Sequence, residues 1–526
     1  MSQRPDKGPS FAELFTPKLV TVWREGYGFA EFRKDAVAGL TVAIVALPLS
    51  MAIAIACGLS PDRGLYTAII GGFLISAFGG SRFQIGGPAG AFIVLVATIA
   101  EKQGFDGLVL ATLMAGAMMM AVGFFRLGTY IKYIPFPVTV GFTTGIAVII
   151  FTSQIRELLG LTMAREPAAF LPKLSALAAA LPSWNPVAVG VAAGSIGLIL
   201  VLRKVRPTWP GFLIAVVLAS AATALFGLDV ARVGSRFGGV PDGLPSPALP
   251  AFSLEKARAV LPDAMAIALL GAIESLLSAV VADGMTGRRH RSNCELVAQG
   301  AANIGAALFG GMPATGTIAR TATNVRAGAH GPVSGMLHAV YLLAFMLVAA
   351  PLASHIPLAT LGAILAIVSW NMAERHEFVA LLRASRGDAL VLLATFLLTV
   401  FEDLTLGIAV GVTLGAFLFL HRMAEAIEIE GGGAMVTQDI ADTAGSARTP
   451  YAGADKAGAE DIVVYRISGA FFFGATASVI ATLDRMGQLP RAFVFDFSGV
   501  PMVDITAARG IQGFAGKLAK AGTRLV

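Results

Sequence analysis

The chain has 526 residues, of which 56% are hydrophobic and only 14% are charged, and its mean hydropathy is +0.75. This composition excludes an ordinary soluble globular protein and predicts an α-helical polytopic membrane protein. The net charge of +6 does not indicate nucleic-acid binding, because the basic residues lie in short loops rather than on one face.

Fourteen apolar segments follow a charged N-terminal stretch. Residues 1–35 lack the apolar core of a signal peptide, so we expect them to form a cytoplasmic N-terminal segment. Two of the apolar segments are too short to span a bilayer alone. The segments lie at residues 36–57, 64–79, 88–100, 106–125, 135–153, 185–202, 210–227, 263–283, 295–310, 316–325, 333–351, 357–371, 388–401 and 404–421.

The charges of the short loops predict the orientation in the membrane, since Lys and Arg accumulate on the cytoplasmic side. If the N-terminus is inside, the basic loops at 126–132, 203–206, 288–291 and 375–386 are all inside as well. An even number of crossings then places both termini in the cytoplasm. We expect a multi-pass protein of the cell (inner) membrane.

The two short segments occupy matching places in the two halves of the chain. Gly86–Ala91 precedes the first and Gly311–Gly316 precedes the second, and each follows a Phe-Gly-Gly turn. Interrupted segments at corresponding positions are typical of inverted repeats in transporters. The pattern predicts two repeats of seven segments, at about 36–227 and 261–425, in a transmembrane domain that covers 36–425.

Two such breaks predict an anion site. Half-helices that begin near Pro88 and Thr315 would direct free N–H groups and positive dipole ends into the protein. The guanidinium of Arg320 and the hydroxyls of Thr315, Thr317 and Thr321 add donors. The full set of predicted substrate-binding residues is Gln84, Pro88, Ala89, Gly90, Thr315, Gly316, Thr317, Ala319, Arg320 and Thr321.

Glu274 is the one ionisable residue in the apolar span Met265–Ala282. Acids inside the membrane are functional by default, so we interpret Glu274 as the ion-coupling residue, with Ser278 one turn later as a second candidate. Burial favours its neutral form and a nearby Arg320 its charged form, a balance that suits a proton-binding residue. The alternative is a structural acid that bonds backbone amides or pairs with Arg320, and Arg320 would then anchor the core.

Other polar residues predict no chemistry. Cys57 and Cys294 lie outside any CxxC or Cys/His cluster, and the chain has no P-loop and no recognisable pair of nucleophile and base. We therefore expect no metal, no cofactor and no enzymatic activity. Asp283 and four histidines lie near segment ends and are interpreted as interfacial, the histidines being His330, His338, His355 and His376.

The composition changes after Arg422. Residues 426–460 have few large apolar side chains and are predicted to be a linker. Strand-like runs follow at 461–467 and 492–497, with helical spacing at 475–485 and 505–521. We expect a small cytoplasmic α/β module at 461–526, which the sequence leaves incomplete because a further strand is only beginning at its end.

These segments together resemble the SulP sulfate-permease family, whose animal members are the solute carrier family 26 anion transporters. The resemblance covers nearly the whole chain and lies in the runs Leu47–Pro48, Gly58–Pro61, Gly80–Pro88, Ile273–Ser275, Asn293–Leu296 and Ala319–Val325. The tail resembles a STAS domain through Gly469–Gly474 and Phe495–Asp504.

The resemblance implies a core and a gate domain, elevator-like motion, a homodimer in membrane lipid, and a small anion held between the third and tenth segments. Sulfate, bicarbonate and dicarboxylates are the substrate classes it implies. A Glu in the eighth segment is similar to proton-coupled carriers, whereas sodium-coupled relatives have Asp with a Thr one turn later. Because this chain has Glu274 and Ser278, proton-coupled symport is favoured.

Three alternatives remain open at this stage. The first is a sodium-coupled bicarbonate importer. A nucleobase carrier shares the expected fold, although Arg320 and the STAS-like tail speak against it. The third is an anion channel or a membrane sensor.

Overall fold

The computed structural model describes residues 10–163, 166–207, 209–425, 428–430, 462–469, 471–472, 491–520 and 522–526. The chain divides into two compact units, Met1–Gly411 and Val412–Val526. The predicted helix at 475–485 and most of the predicted linker at 426–460 lie outside the described residues.

Between residues 10 and 425, the regular structure of the described residues is helical apart from two short strands. Its helices are α1 (Phe11–Phe15), α2 (Lys18–Arg24), α3 (Phe29–Ala56), α4 (Pro61–Tyr66), α5 (Gly72–Phe78), α6 (Ile93–Phe124), α7 (Phe136–Leu159), α8 (Phe170–Ala180), α9 (Pro186–Val205), α10 (Gly211–Leu225), α11 (Val233–Phe237), α12 (Leu254–Thr286), α13 (Ser292–Leu308), α14 (Ile318–Arg326), α15 (Val333–Ala353), α16 (Leu358–Met372), α17 (Arg375–Ala384), α18 (Arg386–Phe401) and α19 (Leu404–Glu425).

Every predicted apolar segment contains helical structure. Within the described ranges, seven helices are long and apolar enough to cross a membrane: α3, Gly90–Phe124, α7, α9, α12, α15 and Leu404–Ala424. The predicted boundary between segments 88–100 and 106–125 falls at a kink within α6. Gly104 has non-helical geometry there, with φ of +69° and ψ of −179°, so two helical stretches meet at this residue. A glycine adopts this conformation without steric cost.

Two extended breaks pair with each other inside the first unit. Strand β1 (Gly86–Gly87) runs antiparallel to β2 (Thr315–Gly316), with Gly86 opposite Gly316 and Gly87 opposite Thr315. Each strand leads into a helix, because a 3₁₀ turn at Gly90–Phe92 opens α6 and α14 begins at Ile318. Pairing matters here because unpaired backbone groups away from water are costly.

The helices around these breaks are packed through small and apolar side chains. Met119 of α6, Ala272 and Leu276 of α12 and Leu296 of α13 form one buried cluster. Ile75 of α5 and Ala302 of α13 pack against Ala314, immediately before β2. α12 and the second break are thereby held against fixed helical neighbours.

The second unit contains a mixed sheet. Its strands β3 (Glu428–Glu430), β4 (Ile462–Ser468), β5 (Ala492–Gly499) and β6 (Arg524–Leu525) lie in that order, with β3 antiparallel to β4 and the other pairs parallel. The helix α20 (Ile505–Lys520) contributes Ala507, Phe514 and Leu518 to a core with Ile467 and Phe471. The predicted strands and the predicted helix at 505–521 are confirmed, but residues 428–430 of the predicted linker form a strand, because they pair with β4.

Candidate functional site

Side chains from neighbouring helices hold the second break in place. The amide of Asn303 on α13 brackets Ala314, since its Oδ1 accepts from Ala314 N at 2.9 Å and its Nδ2 donates to Ala314 O at 2.8 Å. The hydroxyl of Thr67 accepts from Met312 N at 2.7 Å and donates to Met312 O at 3.0 Å. The loop that precedes β2 is therefore fixed by two polar side chains.

The first break is held in a similar way. The buried carboxylate of Glu295 accepts from Ser81 N at 3.0 Å, and Asn324 of α14 donates to Phe83 O at 2.9 Å. Gln84 then reaches α12, where its Nε2 donates to the carbonyl and the hydroxyl of Ser275, each at 3.1 Å. A Cβ on Gly316 would overlap this Gln84 amide. Glycine at position 316 thus gives Gln84 room to cross the strand pair.

Arg320 lies at the meeting point of the two breaks and is 1% exposed. Its Nη2 donates to Ser50 Oγ at 3.0 Å and to Pro88 O at 3.4 Å, whereas Nε and Nη1 have no partner among the described residues. No described acid lies within 4.0 Å of the guanidinium. The guanidinium is a buried cation with donors left over, which is the arrangement that an anion would complete.

Gly87 allows the guanidinium to occupy this place. A Cβ at Gly87 would overlap Nη1 of Arg320, and the φ of Gly87, +154°, is one that other residues rarely adopt. The first break therefore provides the space, and the second provides the charge.

The three threonine hydroxyls predicted as donors all form hydrogen bonds within the protein. Thr315 Oγ1 donates to Gly271 O at 3.0 Å, and Thr317 Oγ1 donates to Ile85 O at 3.3 Å. Thr321 Oγ1 accepts from Ile85 N at 3.1 Å and lies 3.0 Å from Ser278 Oγ. These side chains join α12 and α14 to the first break. Thr315 and Thr317 thus donate to carbonyls of the protein, whereas Thr321 only accepts in these bonds and its role as a donor to a ligand stays a prediction.

The remaining predicted residues surround Arg320 or form the helix starts. Pro88 offers its carbonyl to Arg320, Ala89 is buried, and Gly90 is half-buried at the start of the 3₁₀ turn. Ala319 is exposed in the first turn of α14. First-turn N–H groups have no helical partner, so both helix starts offer backbone donors.

Glu274 is buried in α12, with 7% exposure, and its Oε1 has no partner among the described residues. The structure shows neither an ion pair with Arg320 nor a hydrogen bond from a backbone amide within the described ranges. The structural-acid interpretation of Glu274 therefore has no observed partner to support it.

Comparison with known proteins places this arrangement in a family. A model of the sulfate permease family matches residues 32–395, and a STAS domain model matches residues 454–526. The chain belongs to the sulfate permease family. Members of this family are transporters of anions, not enzymes.

Three similar proteins illustrate the match. The Bacillus subtilis candidate sulfate transporter YvdB is 42% identical over 93% of this chain and 89% of its own length. The transmembrane domain of a cyanobacterial bicarbonate transporter, BicA, is 32% identical, with a TM-score of 0.66 over 73% of this chain and 98% of that one. The murine solute carrier 26 family member A9 in its inward-facing state is 18% identical and shares the fold, with a TM-score of 0.82 over 100% of this chain and 90% of that one.

Two groups of residues in this sulfate permease family member were missed by sequence reasoning. Glu295, Gln299 and Asn303 form a polar stripe on α13 at a spacing of four residues, and this stripe contacts both breaks. The spacing was a usable signal in an otherwise apolar helix. Ser50 and Ser275, by contrast, carry no such signal, because only tertiary packing brings them to Arg320 and Gln84.

One interfacial interpretation is wrong. His338 is fully buried, because α15 packs closely against α3 and α5 at its position. His355 and His376 are exposed, and His330 N donates to Asp35 at 2.6 Å. Asp283 Oδ2 accepts from His290 N at 3.0 Å and lies 2.7 Å from His290 Nδ1, and its interfacial position stays a prediction.

Proposed function

We propose that this protein is a secondary active importer of small anions of the sulfate, bicarbonate or dicarboxylate class. The observation on which the proposal rests is Arg320, a guanidinium with 1% exposure, two partnerless nitrogens and no described acid within 4.0 Å. A buried charge without a counter-ion is strongly unfavourable, so a bound anion is the natural partner. Charge-assisted hydrogen bonds of this kind are among the strongest in proteins.

The anion would lie between the starts of α6 and α14. Backbone N–H groups near Gly90 and Ala319 would complement the guanidinium, and these two residues are not fully buried. Gly87 and Gly316 let Arg320 and Gln84 take their places, while Thr315, Thr317, Thr321 and Ser278 position the helices. We assign substrate contact to the helix starts and Arg320, and a positioning role to the hydroxyls.

We further propose fourteen transmembrane segments arranged as a seven-plus-seven inverted repeat, with core and gate domains and elevator-like alternating access. The antiparallel pairing of β1 with β2, one from each half, supports this arrangement. The protein would function as a homodimer in the cell (inner) membrane, with both termini in the cytoplasm. The basic loops predicted on one side support this orientation.

Glu274 would couple transport to protons. The support is its burial, its partnerless Oε1 and its position in α12, the helix that Gln84 contacts through Ser275. An acid in this environment can bind a proton as the anion binds and release it on the other side. The protonated core and the bound anion would then cross together.

Uptake into proteoliposomes tests the proposal. Labelled sulfate, bicarbonate and succinate are compared under imposed proton and sodium gradients. Proton-driven, saturable uptake is expected, and Glu274→Gln is expected to lose its dependence on the proton gradient. Glu255→Gln, an exposed acid on the same helix, is the matched control. Full proton dependence in Glu274→Gln would exclude the assigned role.

A sodium-coupled bicarbonate importer is the second candidate. The similarity to BicA, a bicarbonate transporter, favours it. Ser278 lies one turn after Glu274 as a possible oxygen ligand, although its hydroxyl already contacts Thr321. Sodium-driven bicarbonate uptake in the same assay would select this candidate. A current linear in voltage without saturation would instead indicate a channel, and competition by uracil a nucleobase carrier.

A further inference from the structure

His338 is a buried histidine for which the proposed mechanism has no role. It lies in α15 and is 0% exposed. A Cβ on Gly39 of α3 would stand 3.1 Å from His338 N, and a Cβ on Gly72 of α5 would stand 3.8 Å from His338 Cε1. Gly39 thus lets α3 approach the backbone of α15 at this residue, and Gly72 leaves room for the imidazole against α5.

Neither ring nitrogen of His338 has a hydrogen-bond partner among the described residues. A neutral imidazole has one donor and one acceptor, and buried polar groups are nearly always paired. An imidazole held in such an enclosure without partners is unusual for a purely structural residue. Its acceptor nitrogen is free to take a proton.

Strand β1, which consists of Gly86 and Gly87, separates the His338 imidazole from the anion site. Gly86 O lies 3.0 Å from the position of a Cβ on Gly72, the same point that His338 Cε1 approaches. On the following residue, Gly87, a Cβ would overlap Nη1 of Arg320. His338 and Arg320 therefore lie near the two consecutive residues of β1.

The charged group on the other side of β1 is the buried guanidinium of Arg320, whose Nη1 a Cβ on Gly87 would overlap. The nearest acid on α3 is Asp35, whose carboxylate accepts hydrogen bonds from His330 N, Gly331 N and Tyr27 Oη. On the other side, α5 and β1 present Gly72, Ser76 and Gly86, which carry no charge. A bare guanidinium beside a low-dielectric enclosure opposes a second positive charge.

We propose that His338 is a second proton-binding residue whose protonation is coupled to anion binding at Arg320. This inference rests on the proposed function. An anion that neutralises Arg320 removes the repulsion, and the free ring nitrogen then takes a proton from water to give an imidazolium. When the anion leaves, the guanidinium expels that proton to water. With one proton on Glu274 and one on His338, a dianion would load without changing the net charge of the core.

Counting protons on sulfate binding tests this coupling. The purified full-length protein is titrated with sulfate by calorimetry at one pH in buffers of different ionisation enthalpy, which gives the number of protons taken up. We expect His338→Gln to lower this number by up to one relative to wild type and to flatten the pH dependence of sulfate affinity. His355→Gln, an exposed histidine, is the matched control and should behave as wild type.

The outcomes separate the two proposals. An unchanged proton number and pH profile in folded His338→Gln would overturn the role of His338 and leave anion transport intact. If wild type binds none of sulfate, succinate and bicarbonate, the proposed function itself fails.

A spectroscopic measurement covers the case in which His338→Gln does not fold. The chain has six histidines, so a variant that retains only His338 gives a single ¹⁵N-histidine signal set. Saturation with sulfate should move the ring ¹⁵N shifts from neutral to imidazolium values. Shifts that stay neutral under saturating sulfate would overturn the proposal.

Discussion

The first broken element, Gly86–Phe92, and the second, Thr315–Arg326, each pass from a two-residue strand into a helix but contribute different chemistry. Gly86–Phe92 contains no charged side chain, whereas Thr315–Arg326 contains the buried Arg320. In each element, a glycine makes room for a side chain that comes from the other half of the chain. Gly87 of the first element makes room for Arg320 of the second, and Gly316 of the second makes room for Gln84, which precedes the first. Each half is therefore shaped to accept a polar side chain from the other.

Removing the charge of the second element should have the largest effect. Arg320→Ala loses charge-assisted hydrogen bonds of about 1.5–3 kcal/mol, so anion affinity should fall roughly tenfold to more than a hundredfold. Arg320→Lys keeps the positive charge but lacks the planar fork of donors, so its anion affinity should lie between those of wild type and Arg320→Ala. Affinity is measured as the concentration dependence of uptake.

Arg326→Ala provides the matched control for this change, because Arg326 is an exposed arginine at the end of the same helix. Wild-type affinity in Arg320→Ala would show that the guanidinium is not an anion ligand. The second element would then not supply the charge that binds the anion.

Breaking the reciprocal glycines should have the next largest effect. Gly316→Ala would push a methyl group into the Gln84 amide, and Gln84→Ala should restore stability and uptake in the double variant, because the obstructing side chain is gone. Gly87→Ala should displace Arg320, and here Arg320→Ala should restore folding but not uptake.

Thermal stability in detergent and uptake are measured on all variants of these two cycles. Gly190→Ala, whose added Cβ meets nothing within 4 Å, controls for the loss of glycine. Additive effects in the Gln84 and Gly316 cycle would contradict the reciprocal fit.

The contrast between these elements also explains what could be predicted from sequence. Glu274 and Arg320 were found because a charge among apolar residues is visible without a structure, and Pro88 and Gly316 because glycine and proline mark a broken helix. The directions of the Thr315 and Thr317 hydroxyls were not predictable, since a threonine can bond a carbonyl of a neighbouring element as readily as a ligand. The depth of His338 was missed because glycines on α3 and α5, not its position in α15, decide its burial.

Removing the Asn303 amide, which holds the loop before the second element, should destabilise that element more than the first. Asn303→Ala leaves the N–H and the carbonyl of Ala314 without this partner, at a cost of about 1–3 kcal/mol for each buried group that stays unpaired. We expect a lower melting temperature and reduced uptake. Asn371→Ala, at an exposed asparagine, controls for the substitution, and a melting temperature equal to that of wild type would show that α13 does not hold this break.

The smallest effect is expected at an ion pair beside the first element, which has no counterpart at the second element among the described residues. Glu25 pairs with Arg82 in the loop before β1, and its hydrogen bond from Arg82 lowers the pKa of Glu25. A lowered pKa means that the pair contributes fully above the unfolded value of about 4.3 and is lost as pH falls below it. Because the Glu25 side chain is 46% exposed, its contribution should stay within about 0–1 kcal/mol.

Glu25→Gln should therefore lower the melting temperature slightly at pH 7, and the difference from wild type should shrink as pH falls through the lowered pKa of Glu25. Uptake at neutral pH should remain close to wild type, because the pair lies outside the anion site. A melting-temperature difference that does not shrink as the pH is lowered would mean that Glu25 acts through packing rather than through its charge.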